Sequence, residues 1–248
     1  MQVVALVSGG KDSTYNMMKC VEDGHEIVAL AHAHPPESSS DELDSFLFQT
    51  VGYNAVHTIA DCMDLPLYHR EIKGKPVTQE LDYELTKDDE TEDLFALLSE
   101  VQQHHPDVKG VSVGAIFSSY QANRVQHVCD RLGLTMLAYL WHRDQVELLQ
   151  EMVDSKVDAV LIKVAALGLG KPDLGKTLGE MTPKLLDLHK KFGIHPCGEG
   201  GEFESFTLDC PLFKKHIVLD ETEVVTHSDD AFAAVYYLKI KKVHVVPK

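Results

Sequence analysis

Six consecutive residues near the start of the chain are suited to binding phosphate: Ser8-Gly9-Gly10-Lys11-Asp12-Ser13. An apolar run typical of a strand precedes them, and a run from Thr14 to about Glu22 that predicts a helix follows. This order directs backbone N–H groups and the positive end of a helix toward an anion. The two glycines allow close approach of the backbone, and the serine hydroxyls and the Lys11 ammonium add donors and positive charge.

This hexapeptide is not the common P-loop, which places four residues between its first glycine and its Gly-Lys pair. It resembles instead the PP-loop of the ATP pyrophosphatase superfamily. That resemblance implies that the β- and γ-phosphates of ATP bind here, that an oxygen of the second substrate attacks the α-phosphorus, and that pyrophosphate leaves. A Gly-Gly turn that connects a strand to a helix and binds no ligand is the alternative.

A second group of chemically active residues occupies positions 198–205, which we call the glutamate segment. It has glycine at three of its first four positions and carries Glu199, Glu202 and Glu204. Clustered carboxylates raise one another's pKa and suit general-base chemistry or Mg²⁺ binding. A surface turn could also carry them, but Phe203 and Phe206 favour burial and would draw the glutamates into a cleft.

The sequence of a third segment, residues 170–177, matches the Walker A pattern. Pro172 lacks a backbone donor, and Asp173 would place negative charge beside a phosphate. We expect the next helix to begin only at Thr182-Pro183, with threonine as cap and proline at the first helical position, so that no positive helix end faces this loop. The segment is therefore predicted to be a connecting loop, although Lys171 and Lys176 could still serve a substrate.

Short apolar runs alternate with amphipathic ones, which predicts a parallel sheet covered by helices. The acidic run at 88–93 is expected to lead into a helix whose first turn favours carboxylates, with a metal site as the alternative. Asp41 is a plausible helix cap. Strands are predicted at 3–7, 27–31, 67–72, 111–116, 135–141 and 159–164, helices at 14–22, 43–59, 94–101, 120–132, 145–155 and 183–192, and strand-like alternation at 224–246.

The expected fold class is α/β: a twisted parallel sheet with helices on both faces, Rossmann-like and of the adenine nucleotide alpha-hydrolase type, plus a smaller α+β C-terminal domain. We place an ATP-binding domain at 1–142 and a substrate-binding domain at 143–248. Ligands of such sheets bind beyond the carboxyl ends of the strands. The hexapeptide and residues 32–34, 114–120 and 140–142 follow strands and should line one crevice.

Composition narrows the classes of function. The chain has 248 residues and a formal net charge of −16, which disfavours binding to a nucleic-acid backbone. No apolar stretch of about 20 residues predicts a membrane span, and a motif that begins at Ser8 argues against a cleaved signal peptide. Five scattered cysteines without a C-x-x-C pair are typical of reduced thiols in a cytoplasmic protein.

Read together, the two motif segments lead to a family. The chain resembles the diphthine–ammonia ligase (diphthamide synthase) family nearly from end to end. Phe203 and Ser205 depart from it, since the family usually has tyrosine and threonine there, and the missing hydroxyl argues against a proton role at 203. The resemblance is carried by Ser8-Gly-Gly-Lys-Asp-Ser13-x-Tyr15-Asn-Met-Met18, Asp41-Glu-Leu-Asp-Ser45, Gln49-Thr-Val-Gly52, Ser112-Val-Gly-Ala-Ile116, Ala138-Tyr-Leu-Trp141, Gly198-Glu-Gly-Gly-Glu-Phe-Glu204 and Thr207-Leu-Asp-Cys-Pro-Leu-Phe213.

The resemblance implies a reaction. Such enzymes amidate diphthine, a modified histidine of translation elongation factor 2 that bears a carboxylate and a quaternary ammonium, to diphthamide. ATP with Mg²⁺ activates the carboxylate as an acyl-adenylate with release of pyrophosphate, and ammonia then displaces AMP. Free ammonium is the expected nitrogen donor, because the chain is too short to include a glutaminase.

The resemblance also implies roles for residues. The backbone from Gly9 to Ser13, with Ser8 and Lys11, would hold the phosphates, and Asp12 would hold Mg²⁺. Ala31, His32 and Gly114 would contact ATP. One of Glu199, Glu202 and Glu204 would deprotonate or position ammonium, and Tyr120 or Trp141 would attract the quaternary ammonium, although core packing is equally open for Trp141. Gly198, Gly200 and Gly201 would let the backbone approach the substrate.

Two other functions remain open at this point. A PP-loop tRNA-modifying enzyme would need a basic RNA-binding surface or paired catalytic cysteines, and the net charge and the missing C-x-x-C count against both. A non-catalytic nucleotide sensor would need the hexapeptide but not the glutamate segment, and ATP would survive incubation with it.

Overall fold

The computed structural model describes residues 1–36, 47–49, 51–78, 80, 81, 83–230 and 234–248. Short 3-10 helices lie at Tyr53–Ala55, Lys171–Asp173 and Glu199–Gly201. The longer elements are, in order, β1 (Gln2–Leu6), α1 (Lys11–Glu22), β2 (Glu26–His34), α2 (His57–Met63), β3 (Leu67–Glu71), α3 (Glu90–His104), β4 (Val108–Ser112), α4 (Ser119–Leu132), β5 (Thr135–Leu137), α5 (Gln145–Asp154), β6 (Asp158–Val164), α6 (Leu178–Phe192), β7 (Phe203–Asp209), β8 (Lys215–Ser228) and β9 (Val235–Pro247).

The first sheet is parallel, with the strand order β3-β2-β1-β4-β5. Neighbouring residues of its central strand β1 face opposite layers. Val3 and Ala5 pack with apolar residues of α1 and α2, whereas Val4 packs with those of α3 and α4. Because both faces are covered by helices, consecutive residues of β1 are apolar without alternation, as in other strands that are buried on both faces.

The second sheet has the order β7-β6-β9-β8 and is antiparallel. Strands β8 and β9 form a long hairpin, and α5 and α6 pack through apolar residues against β6. The predicted fold class, a helix-covered parallel sheet followed by a smaller α+β part, is confirmed. No helix in the described ranges is long and apolar enough to cross a membrane.

The two sheets share their apolar cores. One cluster joins Val3 of β1 to Val160 and Phe206 of the second sheet, and another joins Tyr15 of α1 to Leu161 of β6. The boundary proposed after residue 142 lies between β5 and α5. Packing therefore ties the two halves together, whichever residue divides them along the chain.

Several predicted boundaries in the first half are wrong. Helix α1 begins at Lys11 rather than Thr14, because the helical backbone starts directly after Gly10. Strand β2 continues to His34, since it pairs with β3 along residues that were assigned to a loop. The strand predicted at 111–116 is β4 at Val108–Ser112, and the strand predicted at 135–141 ends at Leu137, where its pairing with β4 stops.

The helix predicted at 43–59 is also wrong over most of the part that the structure describes, and only residues 57–59 of it lie in an α-helix. Residues 47–49, 51 and 52 are not helical, and α2 begins only at His57. Gly52 has a φ of +79°, which interrupts helical geometry. The predicted cap Asp41 and the helix residues Leu43 and Phe46 lie outside the described residues, as do the motif Asp41–Ser45 and Thr50 of Gln49–Gly52.

Helix α6 corrects the prediction of a start at Thr182-Pro183. It begins at Leu178, where the Thr177 hydroxyl and the Glu180 carboxylate form a reciprocal capping box, and Pro183 lies inside it. The spacing of Thr177 and Glu180 is itself a sequence signal for a helix start. It outweighs the preference of proline for the first helical position.

Candidate active site

A cleft of about 960 Å³ lies beyond the carboxyl ends of β1, β2 and β4 and is closed on its other side by the glutamate segment and β7. Its volume is in the range that small-molecule sites occupy. Residues proposed from the sequence that line it are Ser8, Lys11, Asp12, Ser13, Ala31, His32, Gly114, Tyr120, Gly198, Glu199, Gly200, Gly201 and Glu204. Of the other proposed residues, Gly9, Gly10, Glu202 and Trp141 do not line it.

Strand β7 braces the hexapeptide from behind. The Lys11 N–H donates to the Ser205 hydroxyl at 3.1 Å, and the Thr207 N–H donates to the Gly9 carbonyl at 2.8 Å. Gly9 has a φ of +94°, and a Cβ built there would lie 2.9 Å from the ring of Phe206. Gly9 therefore meets both conditions that exclude other residues: a left-handed backbone and a close neighbour.

The hexapeptide presents unsatisfied donors at the start of α1. Gly10 caps the helix without a side-chain hydrogen bond. In the described part of the chain, the amide N–H groups of Asp12 and Ser13 have no hydrogen-bond partner. Free N–H groups at the positive end of a helix are a binding site for anions.

Lys11 connects the hexapeptide to the glutamate segment. Its side chain is only 3% exposed, and its ammonium donates to the Asp12 carboxylate at 2.8 Å and to the Cys197 carbonyl at 2.5 Å. Burial alone would lower the pKa of Lys11, but the Asp12 carboxylate, together with Cys197 and Glu199, holds the pKa above its ordinary value. The ammonium is therefore charged at neutral pH, beside the free N–H groups.

The two carboxylate oxygens of Asp12 have different surroundings. Its Oδ2 accepts from Lys11, and its Oδ1 is buried without a hydrogen-bond partner in the described part of the chain. A buried carboxylate oxygen without a partner fits a divalent cation. Among the described residues, no group of three or more His, Cys, Asp or Glu side chains could hold a metal alone. A Mg²⁺ ion here would thus depend on Asp12 and on nucleotide phosphates, as Mg²⁺ commonly does.

The three glutamates have different surroundings. The Glu199 carboxylate lies in the cleft and accepts the Phe117 N–H at 3.3 Å. Burial raises its pKa, the Asp12 carboxylate adds to the rise, and the Phe117 N–H and Lys11 only partly oppose it. The Glu204 carboxylate also lies in the cleft, in an ion pair with Lys163 at 3.2 Å.

Glu202 faces away from the cleft. Its carboxylate accepts the His195 N–H at 2.5 Å, and its carbonyl accepts the Ala165 N–H at 2.9 Å. Burial raises the pKa of Glu202, and the His195 N–H partly opposes that rise. Its visible contacts are those of a residue that holds the glutamate segment in place.

The three residues proposed to contact ATP away from the hexapeptide are buried or half-buried: Ala31 and His32 lie in β2, and Gly114 follows β4. His32 donates from Nδ1 to the Val7 carbonyl at 2.8 Å, and burial lowers its pKa to about 4. A Cβ on Gly114 would lie 2.5 Å from the Ser13 nitrogen. The absence of a side chain at 114 is what allows the end of β4 to meet the hexapeptide.

The two aromatic candidates for cation binding are differently placed. Tyr120 lines the cleft, but the Arg124 guanidinium lies 3.4 Å from its ring centroid, and its hydroxyl donates to Glu90. Burial and the Glu90 carboxylate raise the pKa of Tyr120 well above its usual range. Trp141 is half-buried and stacks on His142 at 4.5 Å.

The prediction that residues 140–142 line the same crevice as the hexapeptide is wrong. Strand β5 ends at Leu137, and the chain then turns so that Leu140 is buried in the apolar core beside α5 and α6. Trp141 packs from the surface on the cluster beneath α3 and α4.

Lys163 is a cleft residue that the sequence reasoning missed. It lies in β6, where it is the single charged residue in the apolar run from 159 to 166. A lone lysine in a buried strand is a signal that could have drawn attention, since an ammonium is rarely buried without a partner. Here the Glu204 carboxylate is that partner.

The 170–177 loop does not line the cleft. The prediction that no helix end faces it is wrong, because α6 begins at Leu178. A carboxylate already lies where a P-loop would hold phosphate: buried Asp173 accepts the Gly170 N–H at 3.0 Å and pairs with Lys184 at 2.6 Å and Lys176 at 3.5 Å. The Gly170 N–H and the ammonium groups of Lys176 and Lys184 are therefore already bound to the Asp173 carboxylate.

The diphthine–ammonia ligase of Bos taurus is 57% identical over 252 residues, which cover all of this chain and 94% of that protein. That of Danio rerio is 57% identical and is covered to 98% of its length. That of Schizosaccharomyces pombe is 56% identical over 97% of this chain, which spans only 39% of that longer protein.

Two domain families match the chain in succession. The diphthamide synthase N-terminal domain matches residues 1–136, which include the hexapeptide and the first sheet. The diphthamide synthase C-terminal domain matches residues 144–245, which include the glutamate segment and the second sheet. With both domains in order and identities above one half along its whole length, this chain belongs to the diphthine–ammonia ligase family of enzymes.

Proposed function

We propose that this chain amidates diphthine on elongation factor 2 to diphthamide, with ATP, Mg²⁺ and ammonium as reactants and AMP and pyrophosphate as products. One observation carries the proposal: Lys11 joins an anion site to the glutamate segment in a single cleft. Its ammonium contacts both Asp12 and the Cys197 carbonyl that precedes the glutamate segment. A phosphate site and a carboxylate site are thereby held side by side.

The first step would activate the substrate. A diphthine carboxylate oxygen attacks the α-phosphorus of ATP, a new O–P bond forms, and the bond to the β-phosphate oxygen breaks. The free N–H groups of Asp12 and Ser13 and the Lys11 ammonium are placed to stabilise the charge on the departing pyrophosphate. Mg²⁺, held by the Asp12 carboxylate, would neutralise further phosphate charge.

The second step would form the amide. Ammonia attacks the carbonyl carbon of the acyl-adenylate, the C–N bond forms, AMP leaves with the electrons of the C–O bond, and the nitrogen releases one proton. Since ammonium must lose a proton to become nucleophilic, a carboxylate with a raised pKa beside the reacting group is useful. Glu199 has that environment, Glu204 is paired with Lys163, and Glu202 lies outside the cleft.

Single-turnover analysis tests this proposal. The protein is mixed with labelled ATP, Mg²⁺ and ammonium, with and without diphthine-bearing elongation factor 2. The expected result is AMP and pyrophosphate that depend on the factor, together with a mass change on the factor equal to replacement of OH by NH₂. ADP and phosphate would refute the assignment, turnover stimulated by tRNA would favour a tRNA-modifying enzyme, and intact bound ATP would favour a sensor.

A further inference from the structure

Phe117 is a large apolar residue that remains exposed at the rim of the cleft. Its relative exposure is 42%, although its neighbours Ala115 and Ser118 both line the cleft. Its backbone N–H donates to the Glu199 carboxylate at 3.3 Å. The backbone that carries the phenyl ring is therefore hydrogen-bonded to a half-buried carboxylate, 82 residues away along the chain.

The ring is held in place by other rings. Phe117 stacks on His142 with centroids 5.3 Å apart and planes at 15°, and His142 stacks on Trp141 at 4.5 Å. The edge of His195 meets Phe117 at 5.7 Å. Trp141 packs in turn on the apolar core. These ring contacts hold the Phe117 ring in position and leave it exposed.

Backbone strain contributes to this arrangement. His142 has a φ of +56°, in the left-handed region that favours glycine, and its N–H donates to the Ile116 carbonyl at 2.8 Å. Such a conformation persists in a non-glycine residue only where the surroundings enforce it, and it often occurs at functional sites. Here it turns the imidazole under Phe117.

A quaternary ammonium has no N–H to donate, so aromatic faces and carboxylates are the groups that bind it. Two other aromatic rings at the cleft already lie beside protein cations: the Arg124 guanidinium is 3.4 Å from the Tyr120 ring centroid, and the Lys11 ammonium is 5.1 Å from that of Phe203. In the described part of the chain no protein cation lies over Phe117.

We propose that the exposed face of Phe117 binds the quaternary ammonium of diphthine, with the Glu199 carboxylate supplying the opposite charge. This inference rests on the proposed function and names the residue that selects its substrate. Diphthine carries its carboxylate and its ammonium on one side chain, so the ammonium must bind within a few bonds of the carboxylate that reacts above the hexapeptide. Glu199 and the hexapeptide line the same cleft, and Phe117 adjoins Glu199.

The test is a series of substitutions at this position, measured as amidation of diphthine-bearing elongation factor 2. Phe117→Leu keeps an apolar side chain but removes the aromatic face. It is expected to raise KM for the factor about 2- to 30-fold, the range that cation–π contacts confer, with KM for ATP unchanged. Phe117→Trp is expected to keep KM at or below its original value.

Fluorinated phenylalanine at position 117 separates the charge effect from packing. Fluorine withdraws electron density from the ring face while the shape barely changes, so KM for the factor should rise stepwise with each added fluorine. Phe192→Leu is the matched control, because Phe192 is equally apolar and exposed but lies at the end of α6, away from the cleft.

Several outcomes would overturn the inference. An unchanged KM for the factor in Phe117→Leu, or no response to fluorine, would show that the ring does not bind the cation. An equal rise of KM for ATP would indicate that Phe117 only supports the shape of the rim. In both cases the unsubstituted enzyme still forms amide, whereas absence of amide with the unsubstituted enzyme would refute the proposed function itself.

Discussion

Glu199 and Glu202 are three positions apart and have opposite surroundings. Glu199 is held in the cleft by the Phe117 N–H, near Asp12. Glu202 turns back to the His195 N–H outside the cleft. Gly198 and Gly200, with φ of +76° and +71°, produce the turn that separates them. Identical side chains thus have different chemistry because of backbone geometry.

Glu199→Gln should separate activity from stability. The raised pKa of Glu199 means that this carboxyl group binds its proton more tightly in the folded protein than in the unfolded chain. The ionised carboxylate therefore destabilises the fold at pH values above the raised pKa. This loss of stability vanishes below the ordinary pKa of 4.5, where the group is protonated in both states. Glutamine should therefore stabilise the protein at neutral pH but not near pH 4, and should slow amidation about 100-fold if Glu199 is the base. Denaturant unfolding at both pH values and single-turnover rates measure this; no gain in stability at neutral pH would contradict it.

Glu202 should tolerate loss of its charge. Glu202→Gln retains an oxygen that can accept the His195 N–H, so amide formation should stay near the original rate. Glu202→Ala removes that acceptor and should lower the free energy of unfolding by about 1–3 kcal/mol, since the N–H is left unpaired. Rate and unfolding measurements on both variants decide the matter. A Glu202→Gln variant that folds well but is inactive would indicate that Glu202 takes part in the chemistry.

At the scale of elements, two loops have sequences that match phosphate-binding motifs, but only one of them has the geometry of a phosphate-binding loop. The hexapeptide opens α1 with free N–H groups in the described part of the chain. The 170–177 loop precedes α6, but the Thr177 hydroxyl caps that helix and Asp173 accepts the Gly170 N–H. The difference lies in which groups already have partners.

A matched pair of lysine substitutions tests this distinction. Lys11→Met should reduce ATP turnover at least about 100-fold, the loss typical of removing one group that stabilises developing charge. Lys176→Met should leave turnover unchanged, because Lys176 is half-exposed and contacts only Asp173 among the ion pairs described. Circular dichroism checks that both variants fold. The reverse ranking of rates would reinstate the 170–177 loop as the nucleotide site.

Gly114 should be intolerant of any side chain. A Cβ there would lie 2.5 Å from the Ser13 nitrogen, so Gly114→Ala must displace the hexapeptide and is expected to weaken ATP binding at least tenfold. Gly179→Ala is the control, because its Cβ would find no atom nearer than 3.8 Å and its helical position favours alanine. Calorimetric titration with ATP compares the two. Equal affinities would show that the end of β4 can move without cost.

At the scale of the whole molecule, the second sheet supports the proposed nucleotide site of the first. Ser205 and Thr207 of β7 hold the hexapeptide, and Phe206 between them is fully buried against Gly9. The shared apolar clusters join both sheets. Folding of the second half and formation of the phosphate site are therefore coupled.

Phe206→Ala should show that coupling. Loss of a buried phenyl ring is expected to cost about 3–5 kcal/mol of unfolding free energy. ATP affinity should fall as well, because the cavity would lie directly behind Gly9. Unfolding followed by fluorescence and by circular dichroism should give one coincident transition for the parent protein. Two separated transitions would mean that the sheets fold independently.

The sequence alone determined those features whose causes are local. The strand, glycine turn and helix at Ser8–Ser13 follow from apolar runs, glycine spacing and helix ends, and continuous apolar strands indicate a parallel sheet. Element ends were less well predicted, since the extension of β2 to His34 and the early end of β5 depend on pairing with other strands.

Only the tertiary structure decided which side chains meet. Lys11 contacts Cys197, Phe117 contacts Glu199, and Lys163 pairs with Glu204. These partners lie on different strands and loops, and they come together because two sheets pack on common apolar clusters. Residue types and spacing could indicate the chemistry of the cleft, whereas the assignment of each carboxylate and ring depends on long-range packing that no local pattern encodes.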